Sequence, residues 1–492
     1  MITCRFTGLA LALLALVLVV RAVGAGADFY DAVHYPFEID YGEGIVWQQA
    51  ALFGTGRLYA PVREFPFLVF HYPPVYYALV RLAAPAFADL LEAGRAVSAG
   101  ATITLVILLA GCVWVAAGPG ACRWRAWAAS CAGLTALCTA NFWSWGLLMR
   151  VDMVAIALSF GGLVVAHQAR GRTAAWLMAL TLCAAAVFTK QVQVSAGCAV
   201  CCLALLQRLR PALACIGLVL LASLMAFIAL QAATSGGFYQ HIVAFNVNPL
   251  SWRYFGGVLS IESRDALILG VGLAAAVWLA RGMGPMSTLP ARIRAQPPTA
   301  SRFLALIHYV LCACTLLTTL KEGSNANYFI EFMAAGCVLA GLAGLELIRQ
   351  EQWRWLNFEI IILTVAPLLS PFRTMPAFVL AQDRPAQWAL VDRIRTAAIP
   401  VSSENMTLMM RAGVAVVYEP AIVKQLASIG YWDERPLLDL IAGHAFAFMI
   451  TTDDRLTPVS LRSPAVDAAM RAAYPQVTQP APGVWVNEPA AP

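Results

Sequence analysis

Glu38-Ile39-Asp40-Tyr41-Gly42-Glu43-Gly44 lies just past the first hydrophobic segment of the chain. Gly56-Arg57-Leu58-Tyr59-Ala60-Pro61 and His71-Tyr72-Pro73-Pro74-Val75-Tyr76-Tyr77 follow it. Three carboxylates beside a membrane segment are costly unless they have a task. With a Pro-rich aromatic stretch next to them, they mark a place for proton and phosphate chemistry at a bilayer surface.

Composition sets the class. Hydrophobic residues make up 60% of the 492 positions and charged residues 12%, against about 25% charged in a soluble domain. The mean hydropathy is +0.71. Such a chain is a polytopic membrane protein with a soluble part. The net charge of +6 comes from basic pairs scattered between apolar runs, a topology signal rather than a nucleic-acid surface.

Apolar runs near the length of a span fall at about 6–26, 96–117, 127–143, 150–167, 173–189, 191–206, 211–231, 264–281, 303–320, 329–348 and 356–371. With eleven spans, Arg5, Arg123/Arg125, Arg170/Arg172, Arg208/Arg210, Arg281 to Arg302 and Arg349/Arg354 all fall on one side, which the positive-inside rule makes cytoplasmic. The N-terminus is then cytoplasmic and the C-terminus outside. Arg5, the apolar run and Ala25-Gly26-Ala27 also fit a cleaved signal peptide. Arg21 interrupts that run, which favours an uncleaved helix. The 71–87 stretch, with Arg81 and three prolines, reads as an interfacial helix with Tyr72, Tyr76 and Tyr77 at headgroup level.

Two regions are expected: a membrane domain, 1–371, with a first outer loop at 27–95, and a small extracytoplasmic α/β domain, 381–492. In the latter, 415–418, 446–451 and 484–486 read as strands, and 387–397, 421–428, 436–442 and 464–473 as helices. The thirteen cysteines avoid the outer segments, so no disulfide framework is expected there. Cys201-Cys202 and Cys312-x-Cys314 lack the spacing or partner His of a zinc site.

The polar residues outside are the candidates. Asp40 and Glu43 are candidate site residues, or solvated loop acids, with Asp40 capping a helix from Glu43 to Phe53. Arg150-Val151-Asp152 reads as an interfacial anchor belt or a catalytic element. Lys190-Gln191 breaks the positive-inside rule, which points to a lipid phosphate held by an ammonium, with snorkelling as the plain alternative. Lys321 to Glu331 is a second polar cluster holding Asn325, Asn327 and Tyr328. Glu331, one turn into an apolar helix, calls for a partner such as Lys190, Arg150 or a substrate. His241, Asn246, Asn248, Trp252 and Arg253 form a third outer loop. Neither a P-loop nor a dinucleotide-binding glycine motif occurs, so a soluble nucleotide is not the expected donor.

The combination of Asp40-Tyr-Gly-Glu43-Gly, Gly56-x-Leu58-Tyr59, Tyr72-Pro73-Pro74, Arg150-x-Asp152, Lys190-Gln191 and Gly323-Ser-Asn-x-Asn327-Tyr328 resembles the GT-C membrane glycosyltransferases, the protein mannosyltransferase and aminoarabinose transferase class. That resemblance implies a polyprenyl-phosphate sugar donor, a glycan, lipid or protein acceptor, and a multi-pass protein of the inner (plasma) membrane. Asp40 matches the family's functional aspartate. Glu38 and Glu43 flank it, so three carboxylates compete for the catalytic place, with Glu43 otherwise orienting the acceptor or sharing a cation. Lys190 and Arg150 would take the donor phosphate. Asp152, Gln191, Asn325, Asn327, Tyr328, Glu331, His71 and Tyr72 would line the substrate site. Metal dependence varies within the family, so a divalent metal ion is left open and no metal ligand is assigned. The rival class is a transporter or lipid-handling protein, which intramembrane charges would also serve.

Overall fold

The computed structural model describes residues 2–63, 65–118, 120–246, 248–369, 383–454, 456–457 and 460–490. The expected boundary at 371–381 therefore lies outside the described residues. Helices form at each of the eleven apolar places: α1 (Ile2–His34), α4 (Leu90–Ala116), α5 (Cys122–Leu137), α7 (Asp152–Ala169), α8 (Thr173–Val187), α9 (Ser195–Gln207), α10 (Leu209–Ala233), α13 (Ala266–Arg281), α15 (Pro297–Thr315), α16 (Phe329–Arg349) and α17 (Trp353–Leu369). Among the described residues, seven segments are by themselves long and apolar enough to cross a membrane. Shorter helices complete the membrane part: α2 (Tyr41–Leu52), α3 (Val75–Ala83), α6 (Ala140–Gly146), α11 (Gly237–Ile242), α12 (Trp252–Glu262) and α14 (Leu289–Ala295).

Helix α16 is the hub. It packs against α4, α5, α13, α15 and α17, and nearly all its apolar side chains are buried. Its crossing with α13 depends on paired glycines: a β-carbon on Gly272 would stand 2.9 Å from the Gly336 Cα, a small-residue contact that lets two membrane helices close up. Helix α10 is apolar all round yet buries only Ala212 and Cys215, as a lipid-facing helix does.

Two expectations are corrected here. The run at 127–143 is not one helix: α5 ends at Leu137, and Thr139 caps α6 through its hydroxyl. Tyr76 and Tyr77 do not reach headgroups. Both are fully buried, Tyr76 bonding Gly94 O (2.9 Å) and Tyr77 bonding Gln49. The amphipathic α3 thus turns its aromatic face inward against α4 and α2.

The C-terminal part holds α18 (Arg384–Thr396), α19 (Met406–Ala412), α20 (Pro420–Ser428), α21 (Arg435–Ala442) and α22 (Pro464–Ala473). Its strands are β1 (Ser402–Ser403), β2 (Met449–Thr451), β3 (Gln476–Ala481) and β4 (Val484–Glu488), in the order β1-β2-β4-β3. Only β1–β2 is parallel. Residues 415–418 make no strand in this sheet. Instead Tyr418 bridges Phe67 of the first loop. Arg411 of α19 reaches the same loop, pairing Asp89, bonding Pro36 O (2.5 Å) and lying over Trp47 (5.0 Å).

Candidate active site

Asp40 is the N-cap of α2. Its Oδ1 accepts from Gly42 N (3.0 Å), and Glu43 reaches back to complete a capping box. The cap reading and the site reading both hold, because the same oxygen also meets Arg150 Nη1 at 3.3 Å. Among the described residues Oδ2 has no partner, and the side chain is 35% exposed. Gly42 permits this approach: a β-carbon there would lie 1.2 Å from Arg150 Nη1.

A cavity of about 510 Å³ opens between the helix ends and the C-terminal part. Asp40, Arg150, Lys190, Gln191, His71, Tyr72, Asn325 and Tyr328 line it together, residues spread over nearly three hundred positions of chain. Asp152 and Asn327 stand behind Lys190. Asp152 Oδ1 accepts from Lys190 Nζ (2.5 Å) and from Asn327 Nδ2 (2.8 Å). Lys190 Nζ lies 4.4 Å from the Tyr328 ring centroid. Burial disfavours the Lys190 charge, but the Asp152 carboxylate outweighs it and raises the pKa. Arg150 stays charged for the same kind of reason, facing Tyr72, Asp40 and Asp152.

Buried polar groups with no hydrogen-bond partner among the described residues gather at this place: His71 Nε2, Arg150 Nε, Asp152 Oδ2, Gln191 Oε1 and Asn327 Oδ1. Folded proteins satisfy most buried polar atoms, so such a cluster could meet a polar ligand. His71 is kept neutral, its pKa lowered to about 3 by burial first and Arg150 next.

Two expected members lie elsewhere. Glu43 is fully buried and away from the cavity. Its oxygens accept from Arg95 Nε and Nη2 (both 2.7 Å), Met149 N (2.8 Å) and Ile39 N (2.7 Å). Arg95 gives its remaining donors to Ala32, Tyr35 and Phe37 carbonyls. A carboxylate this saturated holds three chain segments together. Glu331 pairs with neither Lys190 nor Arg150. Its partner is His308, at 3.1 Å. In the third loop, His241 is a brace: Nδ1 accepts from Phe70 N (3.2 Å) and Nε2 faces Ala60 O (2.8 Å).

Sequence reasoning missed Glu419 and Lys321 as cavity residues, and Arg95 altogether. Glu419 caps α20, accepts from Tyr41 OH (2.8 Å) and lies 3.9 Å from His71 Nε2. Burial, opposed by those hydrogen bonds, raises its pKa to about 7. Glu-Pro ahead of an apolar run is an N-cap signal, but nothing local ties it to His71. Lys321 lines the cavity and forms no ion pair among the described residues. It contacts Asn246 Oδ1 at 3.5 Å, and burial lowers its pKa.

In fold this arrangement is similar to two solved proteins. The chain is similar over 96% of its length to 98% of ArnT from Cupriavidus metallidurans bound to undecaprenyl phosphate, with a TM-score of 0.61 and 14% identity. The same protein in the apo state gives 0.59 and 14%. The archaeal oligosaccharyltransferase AglB from Archaeoglobus fulgidus, in complex with an inhibitory peptide and a dolichol-phosphate, gives 0.51 and 10%, over 90% of this chain and 69% of that one. No family profile matches the chain, and no curated protein is similar to it in sequence. The likeness is one of fold.

Proposed function

We propose that the chain is a membrane glycosyltransferase that moves a sugar from a polyprenyl-phosphate carrier to an acceptor hydroxyl. The observation that carries this reading is the convergence of Asp40, Arg150 and Lys190 on one cavity within this fold. The free Oδ2 of Asp40 takes the proton from the acceptor hydroxyl as it attacks the anomeric carbon. The sugar–phosphate bond breaks and the polyprenyl phosphate leaves with the bonding electrons. A single displacement of this kind inverts configuration.

Charge grows on the departing phosphate, and fixed cations stabilise it. Arg150 offers an unpartnered Nε–H. Lys190 is shared with Asp152, so Lys321, which has no carboxylate partner among the described residues, joins the phosphate side in this reading. Glu43 acts through position: with Arg95 it fixes the turn that presents Asp40.

Full-length protein in nanodiscs, given a panel of radiolabelled polyprenyl-phosphate sugars, should release lipid phosphate from at least one. Asp40→Asn retains the cap and should cut turnover by roughly 10²–10⁴-fold. Release unchanged in that variant would move the base to another group. The proposed orientation places the cavity and the C-terminal part outside the inner membrane. In a background without native cysteines, cysteines at Asn325 and Tyr431 should react with impermeant reagents on intact cells, and cysteines at Arg170 and Arg294 should not. The opposite pattern would invert the topology.

A further inference from the structure

His308 and Cys312 stand one turn apart on α15, and Glu331 stands in the first turn of α16. All three are buried. His308 Nε2 lies 3.1 Å from Glu331 Oε1 and 3.3 Å from Cys312 Sγ. The three ligand atoms fall within 4.8 Å of one another. Phe160 packs edge-on against the imidazole, with centroids 5.3 Å apart.

Within the triad, one ring nitrogen can serve both neighbours only by sharing. A ring nitrogen carries either one proton or one lone pair. If Nε2–H donates to the carboxylate, the thiol faces an N–H already engaged. If Nε2 accepts from the thiol, the carboxylate oxygen faces a lone pair. A cation at the centre satisfies all three at once.

We propose that His308, Cys312 and Glu331 bind a divalent transition ion of the zinc class. Imidazole nitrogen, thiolate sulfur and carboxylate oxygen are the ligand set such an ion takes. Bonds of about 2.0–2.3 Å in a tetrahedron put neighbouring ligand atoms roughly 3.3–3.8 Å apart, close to the two contacts at hand. As the metal–sulfur bond forms, the thiol proton leaves to solvent. The dication with one thiolate and one carboxylate is then neutral overall, which suits a site buried among apolar helices. The buried Ser195 hydroxyl stands beside the thiol and would be the fourth ligand.

The ion joins the two stems of the segment that connects α15 to α16. That segment carries Lys321, Asn325, Asn327 and Tyr328, so the clip would hold one wall of the cavity in place. Asn327 and Tyr328 meet Asp152 and Lys190 only if these stems keep their spacing.

The test needs no glycosyl donor, so its outcome is independent of the proposed transfer activity. Full-length protein is purified without chelator, its metal content measured by mass spectrometry, and the ion then exchanged for Co²⁺. About one zinc-class ion per chain and a near-ultraviolet thiolate-to-cobalt band are expected. Cys312→Ser should abolish that band, and His308→Gln should lose the ion. A wild-type protein that remains metal-free after incubation with zinc or cobalt and desalting overturns the site, whether or not the variants fold. So does a cobalt band that survives Cys312→Ser.

Discussion

Replacing Gly42 by alanine tests the Asp40–Arg150 arrangement while leaving both charged groups in the chain. A β-carbon at Gly42 would stand 1.2 Å from Arg150 Nη1 and 2.5 Å from its Cζ, so the guanidinium must leave its place. The helix itself gains, since alanine is favoured over glycine inside a helix by up to about 1 kcal/mol. The Asp40 cap stays, because its bond goes to the Gly42 backbone. What is lost is the 3.3 Å pair with Asp40 and the aim of Arg150 at the donor phosphate. A hydrogen bond to a charged group contributes about 1.5–3 kcal/mol. At about 1.4 kcal/mol per factor of ten, kcat/KM should fall roughly 10- to 150-fold. Turnover is read from lipid-phosphate release in nanodiscs, with the thermal midpoint measured alongside. The midpoint should hold or rise. Wild-type turnover in Gly42→Ala would refute the phosphate role of Arg150. A lowered midpoint would instead make Arg150 a brace of the fold.

Glu43→Gln should cost about 3–5 kcal/mol of stability, the usual result of stranding one half of a buried ion pair, and should show as poor yield of folded protein. Adding Arg95→Met should restore part of it; no recovery would mean the pair is not the cause. Glu419 has a folded pKa raised to about 7 from an ordinary 4.5. The folded state therefore holds its proton longer, and stability falls as pH rises from about 4.5 to 7. The shift corresponds to a few kcal/mol at about 1.36 kcal/mol per unit. Glu419→Gln should flatten that slope, read as thermal midpoint against pH, and an unchanged slope would disprove the assignment. Lys190→Ala leaves Asp152 buried without its cation, so it should destabilise by about 3–5 kcal/mol. Adding Asp152→Asn should recover stability without recovering polyprenyl-phosphate binding. Binding at wild-type affinity in the double variant would remove Lys190 from the site.

The membrane class, the helix positions and the placing of Asp40 at a helix start are all legible in the chain, because each rests on local physics. Twenty apolar residues in a row must find lipid or core, and Asp-x-x-Glu before an apolar run makes a capping box wherever it occurs. The helix at 464–473 and its Ser463 cap follow the same rule. Local pattern failed where a single event in space decides. Residues 415–418 have strand character, but their partner is Phe67, some 350 residues away, and not a strand of the sheet.

The composition of the site divides along the same line. Asp40, Arg150 and Lys190 stand out in sequence because a charge at the end of an apolar run is costly. What that cost is set against was settled only by packing. Glu43 is neutralised by Arg95 and Lys190 by Asp152, while Glu331 meets His308. The sequence also set His308 four residues before Cys312, one face of a helix, yet that spacing acquired meaning only when α16 delivered Glu331 to the same point. Sequence by itself determined which segments leave water and which carboxylates begin helices, since hydropathy and capping act over a few residues. Tertiary structure alone decided which charges are cancelled and which face the cavity, since an ion pair depends on distances that no local pattern encodes.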